Sequence, residues 1–121
     1  MAISSKKALQ QGPLKEIQAL IRHDHFKSEQ VAAILDMSDR TFRRKLEAAS
    51  FDRLEAERLE EINQLISLGV ETFGTTGKFM VWMQSTPETF GGARPMDLLA
   101  SQKGIDWIEE TLIALQHGLP E

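Results

Sequence analysis

The sequence predicts an all-α fold, and three observations carry that reading. Apolar residues recur at spacings of three and four along most of the 121-residue chain, the period of an amphipathic helix. No segment shows the strict alternation of a half-buried strand. Serine, aspartate, proline and glycine stand between the periodic segments, where caps and turns require them.

Residues 1–13 are expected to form a flexible N-terminus. "PLKEIQALIRH" then places Leu14, Ile17, Leu20 and Ile21 at helical spacing, with Pro13 suited to the first turn. After a break at "HDHFK", Ser28 is placed to cap a short helix holding Val31, Ala32, Ile34 and Leu35. "DMS" reads as a tight turn, and Ser38 as the cap of "DRTFRRKLEAA". The longest periodic segment is "SFDRLEAERLEEINQLISLGVETFG", where Asp52 and Glu55 have the spacing of a capping box. Leu59, Ile62, Ile66, Val70 and Phe73 form its stripe, widened by Leu65 and Leu68. A stripe that wide meets a core on one side and another helix or subunit on the other, which favours a homodimer.

Further on, "KFMVWMQ" predicts a short helix using Phe79, Trp82 and Met83. "STPETFGGARP" is a connector with a helical turn begun at Thr86 and Pro87, and "MDLLAS" a further short helix. In the last helix, "GIDWIEETLIALQHG", the buried positions are Ile105, Ile108, Leu112 and Leu115, and Gly118 is placed as the C′ residue. The Met and Trp positions Met80, Trp82, Met83 and Trp107 are read as core. The domain boundaries expected are 14–50, 51–74 for the connecting helix, and 75–121.

Composition narrows the function classes. A hydrophobic fraction of 41% and a charged fraction of 26% suit a globular chain. With no cysteine, disulfides and thiolate metal sites are excluded. The two N-terminal lysines are not followed by an apolar leader core, and no run approaches the roughly 20 apolar residues that span a bilayer. A soluble cytoplasmic protein without membrane contact is expected. His23 and His25 form an H-x-H pair with too few further ligands for a metal site. "FGTTGK" lacks P-loop spacing, and no nucleophile–base or paired-carboxylate constellation stands out. The chain is read as no enzyme, with no cofactor.

The net charge of −4 is unevenly distributed: residues 1–50 hold nine Lys/Arg and six Asp/Glu, residues 51–121 five and twelve. The basic half contains "SEQVAAILDMSDRTFRRKL", which has the form of a DNA-binding helix-turn-helix. Ala32 is the small residue where the helices cross, and Val31, Leu35, Met37, Phe42 and Leu46 lock the pair. Asp36 occupies the turn position where glycine is usual, and aspartate tolerates left-handed backbone better than most residues. At about 100° per residue, Arg40 and Arg44 lie opposite Phe42 and Leu46. Arg40, Thr41 and Arg44 are the base-contact candidates, and Arg43 and Lys45 the phosphate contacts. The competing reading of "RTFRRKL" is the solvated face of an amphipathic helix; its place on the second helix of the only basic region favours DNA.

The acidic half, "WMQSTPETFGGARPMDLLASQKGIDWIEETLIALQHG", resembles the toxin-binding domain of the Xre/MbcA/ParS antitoxins. Trp82, Gly91, Gly92, Pro95, Leu98, Leu99, Gly104 and Gly118 stand at the matching places. "RTFRRKL" followed by "RLEAERLEEINQL" is similar to the first half of the same family, so the resemblance runs from about residue 26 onward. It implies an antitoxin of a type II toxin–antitoxin system. Such a protein neutralises a cognate toxin, most often a RES-domain protein that consumes NAD⁺, and represses its own operon. NAD⁺ would be the toxin's substrate. The family's C-terminal end is placed at the toxin's active-site cleft, which makes His117, Gly118, Leu119, Pro120 and Glu121 toxin-binding candidates, with Gly92, Arg94 and Pro95 of the glycine turn. The alternative is a stand-alone repressor whose C-terminal half dimerises or senses a ligand. A pure interaction adaptor is a third reading.

Overall fold

The computed structural model describes residues 14–118. The N-terminal stretch 1–13 and Leu119, Pro120 and Glu121 lie outside the described residues. The fold is all-α, with no strand among the described residues. Helix α1 covers 14–22, followed by α2 (Ser28–Ile34), α3 (Asp39–Ala48), α4 (Arg53–Phe73) and α5 (Thr76–Gln84). A 3-10 turn (Glu88–Phe90), α6 (Pro95–Leu98) and α7 (Gln102–Gln116) complete the order. The chain divides into two compact units, Met1–Asn63 and Gln64–Glu121, so the division falls inside α4.

In the first unit, Leu14, Ile17 and Leu20 of α1 are buried with Val31, Ala32 and Phe42. Two further core residues, Phe26 and Phe51, carry no helical period because each precedes a helix; Phe51 lies 5.9 Å from Phe42. Helices α2 and α3 pack together across a turn in which Asp36 has φ +56. The amides of Asp36 and Met37 donate to the carbonyls of Ala33 and Ala32, which closes α2. Ser38 then caps α3 by accepting from the Thr41 amide at 3.1 Å.

Two local details differ from expectation or sharpen it. Lys27, not Ser28, is the N-cap of α2, and the Gln30 side chain accepts from the Lys27 amide at 3.1 Å. Ser28 lies one residue inside, buried, because its hydroxyl serves α3 instead. At the start of α4 the capping box is complete: the Glu55 amide donates to Asp52 at 2.8 Å and the Asp52 amide to Glu55 at 2.9 Å.

In the second unit, Leu65, Ile66, Phe79, Met80, Met83, Phe90, Leu99, Ile105, Ile108 and Leu112 are buried. Five rings run in sequence through it. Phe73 lies 5.4 Å from Trp82, Trp82 is 5.9 Å from Phe90, and Phe90 meets Trp107 edge-on at 4.9 Å, with Phe79 6.0 Å from Phe73. Edge and offset contacts of this kind add about 0.5–1.5 kcal/mol beyond burial. Trp107 is not core: it is 43% exposed and only leans on Phe90. Gly69 is buried beneath Phe79, whose ring occupies the place of a Cβ.

Candidate functional site

Two surfaces follow from these elements, one on each unit. On the first, α3 buries Phe42 completely and turns Arg40 and Arg44 to solvent. Neither arginine has an ion-pair partner among the described residues. Thr41 is half-buried, and its hydroxyl accepts from Ser38 at 3.0 Å.

The other two cations of α3 are committed. Arg43 Nε lies 2.8 Å from Asp39 Oδ2 and donates to Ser28 Oγ at 3.2 Å. Lys45 Nζ donates to both carboxylate oxygens of Glu55 at 2.8 and 2.9 Å. The Lys45 and Glu55 side chains are only 21% and 17% exposed. Lys45 therefore ties α3 to the start of α4, where the sequence had placed a phosphate contact. Because Glu55 also closes the capping box, one carboxylate orders both helix ends. A half-buried charged pair of this kind is worth about 1–2 kcal/mol once partial exposure is allowed for. The double-mutant cycle of Lys45→Met and Glu55→Gln is expected to give a coupling of about 1 kcal/mol by chemical denaturation. Strict additivity would mean that Lys45 is free.

On the second unit, Gly91 and Gly92 have φ +62 and +92, the left-handed backbone that glycine adopts without cost. They end the 3-10 turn, and the Ala93 amide donates to the Phe90 carbonyl at 3.1 Å. Gly92 is exposed, while Pro95, the first residue of α6, is buried. Arg94 is held between them. Its Nε and Nη2 donate to the two Asp97 oxygens at 3.0 and 3.1 Å, and its Nη1 donates to Gln84 at 3.1 Å. The hydrogen bonds and charge of Asp97 hold the guanidinium above its ordinary pKa. Arg94 thus links α5 to α6 and keeps a partly exposed edge.

Gly104, in the first turn of α7, lies against the Leu98 carbonyl, which occupies the place of a Cβ. Ser101 caps that turn by accepting from the Gly104 amide at 3.0 Å. At the far end of α7, His117 and Gly118 are exposed, and Gly118, φ +72, is the residue at which the helix ends. Gln116 donates to Thr72 at 3.1 Å, fixing that end beside α4. Phe90, just before the glycine turn, packs on Trp107 of α7, ten positions before His117 and about 15 Å from it along the helix. The residues missed from sequence are the partners Ser28, Asp39, Glu55, Gln84 and Asp97. Asp39–Arg43 and Arg94–Asp97 have the i,i+4 and i,i+3 spacing of helical ion pairs, a signal that was present.

The second unit is thus a small helical domain whose polar features sit on a glycine turn and a helix end. Residues 68–118 match the family described as the antitoxin Xre/MbcA/ParS C-terminal toxin-binding domain. The chain is also 31% identical over 64 residues to "Antitoxin Xre" of Pseudomonas putida, an alignment covering 53% of this chain and 40% of that relative. The chain spans less than half the length of the curated relative it matches. Trp82, the paired glycines, Pro95, Gly104 and Gly118 all fall within the matched residues. Among the described residues no helix is long and apolar enough to cross a membrane.

Proposed function

We propose that this chain is the antitoxin of a type II toxin–antitoxin pair, acting by binding and not by catalysis. Its C-terminal unit seats on a cognate toxin and silences it in the cytoplasm. The observation that carries this reading is the match of residues 68–118 to a toxin-binding domain. The toxin class favoured is the RES-domain, NAD⁺-consuming one, approached by the turn (Gly92, Arg94 and Pro95) and by the α7 end and tail from His117 to Glu121. An acidic protein half suits a cleft that must accept an anionic dinucleotide.

The α2–turn–α3 pair acts as a helix-turn-helix that represses the operon. Arg40 and Arg44 point away from the buried Phe42, and with Thr41 at the edge of that face they enter the major groove. One such module binds weakly alone. A homodimer through the wide face of α4, where Leu54 is 75% exposed, supplies two half-sites.

Expression of the adjacent gene alone, and together with this chain, tests the reading. Growth arrest and NAD⁺ loss are expected from the neighbour, with recovery and a stable complex on co-expression. A harmless neighbour that forms no complex would leave the stand-alone repressor. Ending the chain after Gln116 keeps the Gln116–Thr72 hydrogen bond and removes only the tail. Loss of neutralisation with an unchanged melting temperature is expected, and full neutralisation would exclude the tail from the toxin contact.

A further inference from the structure

The four cations of α3 differ in what holds them. Arg40 and Arg44 are exposed and without ion-pair partners among the described residues, and Lys45 is closed off by Glu55. Arg43 is intermediate: its side chain is 65% exposed, yet its inner edge is fixed. Nε alone meets Asp39 Oδ2, from one turn earlier on α3, and Ser28 Oγ, from the first turn of α2. Ser28 is 7% exposed, so one support of the guanidinium is itself set in the packed junction of two helices. No partner occupies either Nη group among the described residues.

That arrangement suits one ligand geometry better than another. A phosphate is a diffuse anion, and its contacts draw affinity from the release of condensed counterions. Asp39 already neutralises Arg43 locally and would repel a phosphate brought beside it. Directional hydrogen bonding survives neutralisation. With the single Nε–H shared between these two acceptors, the inner edge of the guanidinium is held before any ligand arrives, and less side-chain entropy remains to be lost on binding. The two free Nη groups then offer parallel donors, which match the O6 and N7 acceptors on the major-groove edge of guanine. Asp39 Oδ1 is buried without a hydrogen-bond partner. The polar contact of this carboxylate is the one its Oδ2 makes to Arg43 at 2.8 Å.

We propose that Arg43 reads a guanine in the major groove, and that Asp39 and Ser28 are positioning residues that aim it. This replaces the phosphate contact expected for Arg43 from sequence. It rests on the reading that α2 and α3 bind DNA, and it adds the specificity element that the exposed Arg40 and Arg44 leave open.

The test is selection from a pool of randomised DNA duplexes by the full chain, as wild type and as Arg43→Lys, Arg43→Ala, Asp39→Asn, Ser28→Ala and Ser28→Thr. Circular dichroism accompanies each variant, so that a misfolded one is set aside and the remainder decide. Wild type is expected to select guanine at a position where Arg43→Lys and Asp39→Asn lower the preference about tenfold, with other positions unchanged. Ser28→Ala should weaken it and Ser28→Thr should restore it, which a purely structural role would not do. The salt dependence of binding should be unaltered by Arg43→Ala. A fall in that slope of about one, with uniform loss across sequences, identifies a phosphate contact and overturns the inference. Unchanged base preferences in every variant reduce Asp39–Arg43 to a surface ion pair and overturn it equally. A wild-type chain that selects no sequence removes the DNA reading itself, and this inference with it.

Discussion

Gly104→Ala is expected to lower the thermal midpoint of the C-terminal unit by roughly 10–20 °C, the equivalent of about 3 kcal/mol in a domain of this size. An added Cβ would collide with the backbone carbonyl of Leu98 and press on the Leu98 Cβ at 3.0 Å. Backbone atoms cannot rotate out of the way as a flexible side chain can. Either α6 moves off α7 or the first turn of α7 unwinds, and the second course also loses the Ser101 cap. Gly77→Ala is the internal control. Nothing lies within 4 Å of its Cβ position, so reduced freedom of the unfolded chain should stabilise by about 0.5–1 kcal/mol. Thermal denaturation followed by circular dichroism compares the two. An unaltered midpoint for Gly104→Ala would show slack between α6 and α7 that the static packing does not contain.

Arg40→Ala combined with Arg44→Ala is expected to weaken binding to DNA upstream of the gene by about 10²–10³-fold, since each good base contact contributes roughly 1–3 kcal/mol. Fluorescence anisotropy at fixed salt measures it. Both side chains are exposed and make no ion pair among the described residues, so the fold should not report their loss. Toxin neutralisation should persist, because the matched toxin-binding residues begin at 68. DNA binding unaffected by the double substitution would remove both arginines from recognition. Concurrent loss of neutralisation would mean that the two activities share a surface.

Features decided within one turn of chain were legible in the sequence. The Asp52–Glu55 capping box, the Ser38 cap, the left-handed Asp36, Pro95 at the head of α6 and Gly118 at the end of α7 all depend on neighbours three or four residues away. Ser28 failed as a cap for a reason of the same range: Gln30 offered Lys27 an alternative. What could not be read were contacts between segments. Phe26 and Phe51 belong to no helical stripe, and the close approach of Gly69 to Phe79 joins different helices. Trp107 sits on an apolar period, but periodicity does not say whether anything covers it. The same limit applied to the candidate site. The cations of α3 were visible as a group, whereas the division into free, aimed and closed-off members depends on Ser28 and Glu55, which lie on other helices.

The ring series of the second unit has an optical consequence. The chain holds two tryptophans and no tyrosine, and both indoles, Trp82 and Trp107, sit in that series on either side of Phe90. Trp107 is open to solvent while Trp82 Nε1 is buried without a partner. Intrinsic emission therefore originates in the second unit alone. A protein docking against α7 near Trp107 would shift its colour, whereas a duplex docking on α3 would meet no indole there. One unlabelled sample thus reports whether the α7 surface around Trp107 is occupied.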